Sequence, residues 1–308
     1  MKVLITGGAG FIGSHIAELL ISRSDRVLVL DNYATGRPDN LKLHNLLTIS
    51  EGDIAERAFV EKAFLDFQPE IVIHAAASYK DPEDWKTDAR TNVLGTINVL
   101  NASKQTGVRR LIYFQTSLCY GLRPLKQPIT LDHPLYPESS YAISKTAAEQ
   151  YIALSGIDFI SFRLANIYGP RNLSGAVPTF YSRLTSRKRC FVMDTRRDYI
   201  FVQDLMDVVM KAIDGMGDKG YYHISSGSDY STKDIFDAVV GALGIKLSEP
   251  VEVRPRNKDD VYTILLDPTR ANDDFNWKTK TPLGEGIGHA VRWYGKHEIK
   301  ETYTHLKG

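Results

Sequence analysis

A glycine cluster placed between an apolar run and a helical pattern constrains the fold of this chain most strongly. The segment "TGGAGFIGSH" follows the β-rich run "KVLIT" and leads into "FIGSHIAELLISR", whose apolar spacing is helical. Glycines at such a junction permit a tight turn and let the backbone approach a pyrophosphate, which the helix N-terminus attracts. The cluster therefore predicts a dinucleotide-binding turn, although a purely structural glycine turn remains the alternative. Its predicted cofactor-binding residues are Gly7, Gly10, Phe11, Ile12 and Gly13.

Strand-like and helix-like segments then alternate as far as residue 165. The strand-like runs are "RVLVLD", "EIVIHAA", "RRLIYFQTS" and "IDFISFRLA". The helical patterns are "AERAFVEKAFLDF", "DARTNVLGTINVLNASKQTG" and "SSYAISKTAAEQYIALSG". Apolar strands separated by helices are typical of a parallel sheet covered on both faces, and right-handed crossovers favour a doubly wound arrangement. We therefore predict an α/β protein with a Rossmann domain over residues 1–165.

The pattern changes after residue 165. "NIYGPRNLSGAVP" is rich in Gly, Pro and Asn, which predicts a loop. A helix ("TFYSRLTSRK"), a strand ("RDYIFV"), another helix and a strand ("GYYHISSG") follow, and then a helix with a capping box from Ser231 to Asp234. The last predicted helix lies near "LGEGIGHAVRWYGK". We expect a smaller substrate-binding lobe over residues 166–308, with a strand and helix near 195–225 returning to the sheet.

Composition excludes several classes of partner. The chain has 308 residues, 43% of them hydrophobic, and a formal net charge of +1. A nucleic-acid or anionic-membrane partner normally requires a basic stripe, and none stands out in the sequence. The two cysteines, Cys119 and Cys190, have no metal-ligand spacing, so we expect no metal site and a reducing compartment. With no apolar run of membrane length and no signal-peptide pattern, the sequence predicts a cytoplasmic protein.

Two aspartates follow the second and third predicted strands. Asp31 ends "RVLVLD", where its carboxylate is suited to bind both hydroxyls of an adenosine ribose and to repel a 2'-phosphate. NAD is therefore favoured over NADP, although the nearby Arg37 leaves NADP open. Asp53, in "GDI", lies where the third strand should end. It is placed either to meet the adenine amino group or to serve as an ordinary loop aspartate.

A tyrosine–lysine pair lies on one face of a predicted helix. In "SYAISK", Tyr141 and Lys145 are four residues apart, so their side chains project together. A cation beside a phenol favours the phenolate, which makes Tyr141 a candidate proton acceptor. Lys145 can also bond the nicotinamide ribose. Taken alone, such a pair usually lies on a solvent-exposed helix face. In a chain that also has a dinucleotide-binding turn, the pair indicates catalysis.

Together these residues resemble the extended short-chain dehydrogenases/reductases, and within them the nucleotide-sugar epimerases of the UDP-glucose 4-epimerase type. The resemblance covers nearly the whole chain through "TGGAGFIGSH", "DNYATGR", "GDI", "HAAAS", "TNVLGTINVL", "FQTSLCYG", "SYAISK", "RLANIYGPRN", "RRDYIFVQDL" and "LDPTRANDDFNW". It implies bound NAD and a nucleotide-diphosphate sugar as substrate. It also implies a homodimer that pairs the helices of "TNVLGTINVL" and "SYAISK", with Leu94, Ile97, Tyr151 and Ile152 as candidate contacts. Burial within one chain explains those four residues nearly as well.

The resemblance assigns further roles around the cofactor. Thr116, five residues before the glycine of Tyr120-Gly121, completes the catalytic triad, with Ser117 as a substitute beside the substrate. Asn92 anchors the nicotinamide side through backbone contacts, or else is a helix-interior asparagine. The remaining cofactor residues implied by the quoted segments are Asn32, Gly36, Ile54, Ala75, Ala76 and Ala77.

The implied substrate contacts lie in the second lobe. Asn166 and Arg197 match positions that grip the diphosphate, since a guanidinium makes bidentate bonds to phosphate. Arg197 is alternatively a surface arginine paired with Asp198. Val177 and Phe180 are placed to pack the base. In "RPRNKDD" the register puts Asn257 where the family has arginine, so Arg256 is the substitute. This departure, with the shortened turn in "MDTRRDY", leaves the base and the sugar open.

The residues after Thr116 separate the reactions of this family. Hexose 4,6-dehydratases carry an acidic pair there, and UDP-glucuronate decarboxylases carry a glutamate. This chain has Ser117 and Leu118, and leucine cannot transfer a proton. The sequence therefore predicts a 4-epimerase that retains NAD and passes through a transient 4-keto sugar. The alternatives are a keto-sugar reductase or dehydratase of the same family and a non-catalytic dinucleotide-binding protein.

Overall fold

The computed structural model of the chain describes residues 1–256, 260–297, 299 and 302. The strands are β1 (Lys2–Thr6), β2 (Arg26–Asp31), β3 (Leu47–Glu51), β4 (Ile71–His74), β5 (Arg110–Thr116), β6 (Phe159–Leu164), β7 (Asn166–Tyr168), β8 (Phe191–Met193), β9 (Arg196–Arg197), β10 (Tyr199–Phe201), β11 (Gly220–Ile224), β12 (Tyr230–Ser231) and β13 (Glu252–Arg254). The α-helices are α1 (Phe11–Ser22), α2 (Arg57–Phe67), α3 (Trp85–Asp88), α4 (Thr96–Thr106), α5 (Ser140–Leu154), α6 (Ala176–Thr185), α7 (Val202–Ile213), α8 (Thr232–Leu243), α9 (Thr269–Phe275) and α10 (Leu283–Lys296).

Seven parallel strands form the main sheet, in the order β3-β2-β1-β4-β5-β6-β11. The chain runs outward from β1 to β3 and then crosses back to β4, which pairs with the other edge of β1. In a doubly wound sheet, a ligand crevice lies beyond the carboxyl ends of the strands where the order reverses. The topology confirms the predicted α/β class and places that crevice at the ends of β1 and β4.

The central strands of the sheet are buried on both faces. In β1, Val3 and Ile5 belong to the apolar cluster on one side of the sheet, and Leu4 belongs to the cluster on the other side. All three side chains are fully buried. Helices cover both faces of such a sheet, which is why the strand sequences read as continuous apolar runs. This double burial fixes the sheet and leaves only its strand ends available for function.

Part of the chain beyond residue 165 returns to this sheet. Strand β11 pairs in parallel with β6 and forms the edge of the main sheet. The segment predicted as a loop contains β7, which pairs with β10, so that prediction was wrong for Asn166–Tyr168. A three-residue strand is too short to show a periodicity, and its partner is 33 residues away in the chain, at Tyr199 opposite Asn166. The division between residues 165 and 166 stays a prediction.

The single helix predicted over "DARTNVLGTINVLNASKQTG" is interrupted. A π-helical turn, Ala89–Gly95, separates α3 from α4. Within this turn Gly95 approaches Ile54 so closely that an added Cβ would lie 2.7 Å from its side chain. Such π-turns insert one residue into a helix and often occur at functional sites. Sequence periodicity does not reveal an insertion of this kind.

Two predicted features at the other end of the chain agree with the structure. The capping box is present, because Ser231 accepts from the Asp234 N–H and the Asp234 carboxylate accepts from the Ser231 N–H. The last helix spans Leu283–Lys296, the segment predicted for it. Within the described ranges, none of the helices is long and apolar enough to cross a membrane. The same ranges contain no cluster of His, Cys, Asp or Glu suited to hold a metal ion.

Candidate active site

A cavity of about 1080 Å³ opens at the carboxyl ends of β1 and β4. It brings together most of the residues predicted from the sequence for the cofactor, the chemistry and the substrate. Those that line it are Gly7, Gly10, Phe11, Ile12, Gly13, Asp31, Asn32, Gly36, Asp53, Ile54, Ala75, Ala76, Ala77, Thr116, Tyr141, Lys145, Asn166 and Val177. The cavity lining does not include Asn92, Ser117, Arg197 or Arg256.

The glycine turn forms the floor of this cavity. Gly7 has a φ of +69°, and a Cβ there would lie 2.7 Å from the Ala76 Cα. A Cβ at Gly13 would lie 2.7 Å from the Gly8 Cα and closer still to the Gly7 carbonyl oxygen. The turn closes with a bond of 3.1 Å from the Gly10 N–H to the same carbonyl. Only glycine fits at Gly7 and Gly13, and the backbone left open at the start of α1 suits a pyrophosphate.

Asp31 is buried at the end of β2 with its carboxylate fixed. One oxygen accepts from the Ala9 N–H and the other from the Tyr33 N–H, each at 2.8 Å. Burial raises the Asp31 pKa despite these two bonds. Each oxygen keeps lone-pair capacity for a ribose hydroxyl. Arg37, the residue that left NADP open, is held by Asp39 at 2.6 Å.

Asp53 and Asn92 are both held by hydrogen bonds to neighbouring residues. Asp53 accepts from the Ala55 N–H at 2.8 Å and from Arg90 at 2.5 Å. Asn92 is buried in the π-helical turn, where its amide accepts from the Ser78 N–H and donates to the Ser78 carbonyl. Because Ser78 lines the cavity, Asn92 fixes one wall without contacting the cavity itself.

Tyr141 and Lys145 project from the first turns of α5, which Ser139 caps by accepting from the Ala142 N–H. The sequence predicted that Lys145 lowers the Tyr141 pKa. In the structure burial raises the Tyr141 pKa, with Tyr79 and Asp88 adding to it. Burial also lowers the Lys145 pKa to about 7, opposed by Glu149. The prediction missed this effect, since a low dielectric penalises the charged form of both groups.

Thr116 and Ser117 face different surroundings. Thr116 ends β5 in the cavity, and its hydroxyl accepts from the Leu118 N–H at 3.2 Å. Ser117 begins a 3₁₀ turn, Ser117–Tyr120, and is buried outside the cavity. The structure therefore does not place Ser117 beside a substrate.

The two predicted phosphate arginines also lie outside the cavity. Arg197 donates to Asp260 at 2.6 Å and to three backbone carbonyls, so the alternative in which it pairs with Asp198 names the wrong aspartate. Arg256 is exposed, with its guanidinium 5.7 Å from the centre of the Tyr262 ring, and it lines a separate cavity of about 440 Å³. Asn257 lies outside the described residues. Asp260 and Tyr262 are distant in sequence from Arg197, and the motif alone did not indicate them.

Sequence reasoning missed several residues of the cavity. Tyr79 packs edge-on against Tyr141, with ring centres 6.3 Å apart. Arg171 joins the lining from the segment predicted as a loop, with bonds to Ser14 at 3.3 Å and Glu18 at 2.7 Å on α1. Tyr199 lines the cavity from β10. Arg171 lies in the quoted "RLANIYGPRN" and Tyr199 in "RRDYIFVQDL", so the motifs marked both segments without indicating these two side chains.

The glycine turn, the fixed Asp31 and the Tyr141–Lys145 pair define a dinucleotide-dependent enzyme of the short-chain dehydrogenase/reductase class. A family model described as "NAD dependent epimerase/dehydratase family" matches residues 3–225. The chain belongs to that family. The predicted family and NAD as cofactor are thereby confirmed, and the cradle at Gly7, Gly13 and Asp31 fits NAD.

Solved structures and characterised relatives agree with this assignment. The Bordetella bronchiseptica enzyme WbmH in complex with NAD+ is 50% identical, with a TM-score of 0.93 over 97% of this chain and 99% of that one. WbmG of the same organism, in complex with NAD and UDP, is 41% identical, with a TM-score of 0.93 over 100% and 99%. The UDP-glucose 4-epimerase of Mycolicibacterium smegmatis is 31% identical over 313 residues, covering 96% of this chain and 98% of that protein.

Proposed function

We propose that the protein is an NAD-dependent epimerase that inverts C4 of a UDP-linked sugar through a transient 4-keto intermediate. One observation carries the proposal: the cavity that holds the glycine turn and Asp31 also holds Thr116, Tyr141 and Lys145. The names of the relatives support it. So does Leu118, which packs against an apolar cluster where related dehydratases carry an acid.

The side chains of the site divide the reaction between them. NAD held by the glycine turn and Asp31 would supply the hydride acceptor and donor for C4 of the sugar. Tyr141 takes the proton of the C4 hydroxyl as the ketone forms and gives it back on reduction. Thr116 orients the hydroxyl beside Tyr141. Lys145, when charged, stabilises the phenolate of Tyr141 and bonds the nicotinamide ribose.

The second lobe, residues 166–308, holds the nucleotide in this proposal. Asn166 lines the cavity and is fixed by a bond of 3.1 Å from its amide to the Asp198 carbonyl. Val177, also in the lining, supplies an apolar surface for the base. Arg197 reaches the diphosphate only if phosphate replaces Asp260 as its partner. The 4-keto sugar then turns about this anchored diphosphate.

An isotopic assay tests the reaction. Substrate deuterated at C4 is expected to keep its label in the epimerised product, because the hydride leaves and returns within one active site. Solvent deuterium at C5 would indicate a dehydratase. Stoichiometric consumption of added NADPH would indicate a reductase. Either result contradicts the proposal.

Substitution of Tyr141 by phenylalanine tests the proton transfer. Tyr141→Phe keeps the ring and its packing against Tyr79 but removes the hydroxyl. We expect kcat to fall about 10²–10⁴-fold, the typical loss for a positioned acid/base, with NAD still bound. The kcat of Thr116→Ala should fall by a smaller factor. If Tyr141→Phe has the same kcat as the wild type with the same sugar, this role is contradicted.

We further propose a homodimer built on the faces of α5, α4 and the π-helical turn that precedes α4. Leu94 and Tyr151 are each 45% exposed, and Ile143 on α5 is 53% exposed, which supports an apolar interface. Ile152 is fully buried in its own chain and drops out as a contact. A monomer by light scattering at micromolar concentration contradicts the dimer.

We also propose that the protein is cytoplasmic. Its product would supply the glycosyl transfer that forms polysaccharides.

A further inference from the structure

Two side chains of β5 reach the same backbone carbonyl on the catalytic helix. Gln115 donates its amide N–H to the Lys145 carbonyl at 3.0 Å and accepts from the Thr116 N–H at 2.8 Å. Gln115 is 2% exposed, so solvent does not compete for these bonds. A single buried amide thereby connects the backbones of two residues of the proposed triad.

Tyr113 contacts both the backbone carbonyl and the side-chain ammonium of Lys145. Its hydroxyl donates to the Lys145 carbonyl at 3.1 Å, and the centre of its ring lies 3.9 Å from the Lys145 Nζ. Tyr113 is fully buried. Because Tyr113 and Gln115 are two residues apart in a strand, they lie on the same face, the face that packs against α5.

We propose that Tyr113 and Gln115 are positioning residues that fix Lys145 and Thr116 relative to each other before the substrate binds. The inference rests on the proposed function of that triad. Buried polar side chains usually have hydrogen-bond partners, so these bonds alone do not indicate a role. Their convergence on one carbonyl and the bridge from it to Thr116 support the positioning role.

The charge of Lys145 depends on the groups that face it. Tyr141 and Glu149 lie on its own helix, His74 on β4 and Tyr113 on β5. His74 is neutral: Thr96 donates to the Asn92 carbonyl and so accepts from the His74 Nε2–H, while Nδ1 accepts from Thr6. Burial and Lys145 both lower the His74 pKa, to about 3. Because His74 is neutral, it adds no charge beside Lys145. The contacts that stabilise the Lys145 ammonium are the face of the Tyr113 ring and Glu149.

Three variants separate the parts of this arrangement. Gln115→Met removes both amide bonds at similar volume. Tyr113→Phe keeps the ring face and removes the hydroxyl, while Tyr113→Leu removes both. Tyr222→Phe is the matched control, because Tyr222 is a fully buried strand tyrosine outside the cavity lining. Its hydroxyl has the Asp274 carboxylate at 2.7 Å and the Asp218 carbonyl at 3.0 Å as acceptors.

For Gln115→Met we expect kcat to fall about 10- to 100-fold, with KM and NAD affinity near the wild-type values, since misplacement by about 1 Å carries such a cost. Tyr113→Phe should lose only a few-fold in kcat. In Tyr113→Leu the alkaline limb of the pH–rate profile, where Lys145 loses its proton, should move down by about one pH unit. Tyr222→Phe should change stability alone.

A titration that needs no substrate separates this proposal from the proposed function. The phenolate of Tyr141 is measured in the NAD-bound protein by ultraviolet difference against Tyr141→Phe. Gln115→Met should raise the Tyr141 pKa, because Lys145 is less well placed. If Gln115→Met and Tyr113→Leu lose stability like the control but leave kcat, the pH profile and this titration unchanged, the positioning role is refuted. If the wild type epimerises no UDP-sugar, the proposed function fails while the titration still decides the positioning role.

Discussion

The glycine turn makes the sharpest test of the cofactor cradle, through Gly13→Ala. The new Cβ would lie 2.7 Å from the Gly8 Cα and closer still to the Gly7 carbonyl oxygen. Carbon atoms pack at about 3.5–4.0 Å, so the turn must move by about 1 Å. Both neighbours are backbone and cannot rotate away. Overpacking of this kind costs about 1–3 kcal/mol, against about 1 kcal/mol gained in helix propensity.

The larger effect of Gly13→Ala should be on NAD. A displaced turn weakens backbone bonds to the pyrophosphate, and bonds to charged groups contribute about 1.5–3 kcal/mol each. We therefore expect NAD affinity to fall about 10- to 100-fold. Gly241→Ala is the matched control: this glycine also lies in a helix, α8, and a Cβ there meets nothing within 4 Å. It should stabilise the fold by about 0.5–1 kcal/mol and leave NAD affinity unchanged.

Thermal unfolding with and without NAD, together with calorimetric titration, measures both quantities. NAD at 100 times its Kd stabilises the wild type by about 2.7 kcal/mol. A 100-fold weaker Kd leaves about 0.4 kcal/mol at the same concentration, so the thermal shift nearly vanishes. A full NAD-induced shift in Gly13→Ala, or its loss in Gly241→Ala, would refute the argument that this turn is shaped for the cofactor.

Three further changes have clear expected outcomes. Asp31→Ala should weaken NAD more than NADP in calorimetric titration; equal losses contradict a ribose contact. Glu149→Gln should cost about 3–5 kcal/mol in denaturant unfolding, because Arg163, 4% exposed and paired at 2.8 Å, loses its partner. Burial raises the Asp198 pKa to about 6, so the stability of the wild type relative to Asp198→Asn should fall between pH 4 and 7 by up to about 3 kcal/mol. A flat difference contradicts the last prediction.

The sequence predicts those features of the fold and site that the local spacing of residues determines. The turn before α1, the placement of Asp31 at the end of β2, and the shared face of Tyr141 and Lys145 all depend on residues within one strand–helix unit. The partner of Arg197 could not be found this way, because Asp260 is 63 residues away and meets it only through the packing of the second lobe. Short strands such as β7 fail for the same reason, since pairing with a distant segment creates them.

The pKa shifts of Tyr141 and Lys145 could not be predicted from the sequence for a different reason. Spacing shows that Lys145 lies near Tyr141, but it does not show how deeply both are buried. In the structure burial favours the neutral form of each group, raising one pKa and lowering the other to about 7. A neutral pair is a weak proton acceptor. Lys145 must therefore be kept charged by its surroundings, where Glu149 on the same helix and the face of the Tyr113 ring are its stabilising contacts. The catalytic competence of Tyr141 thus depends on residues behind the helix as much as on the motif that marks it.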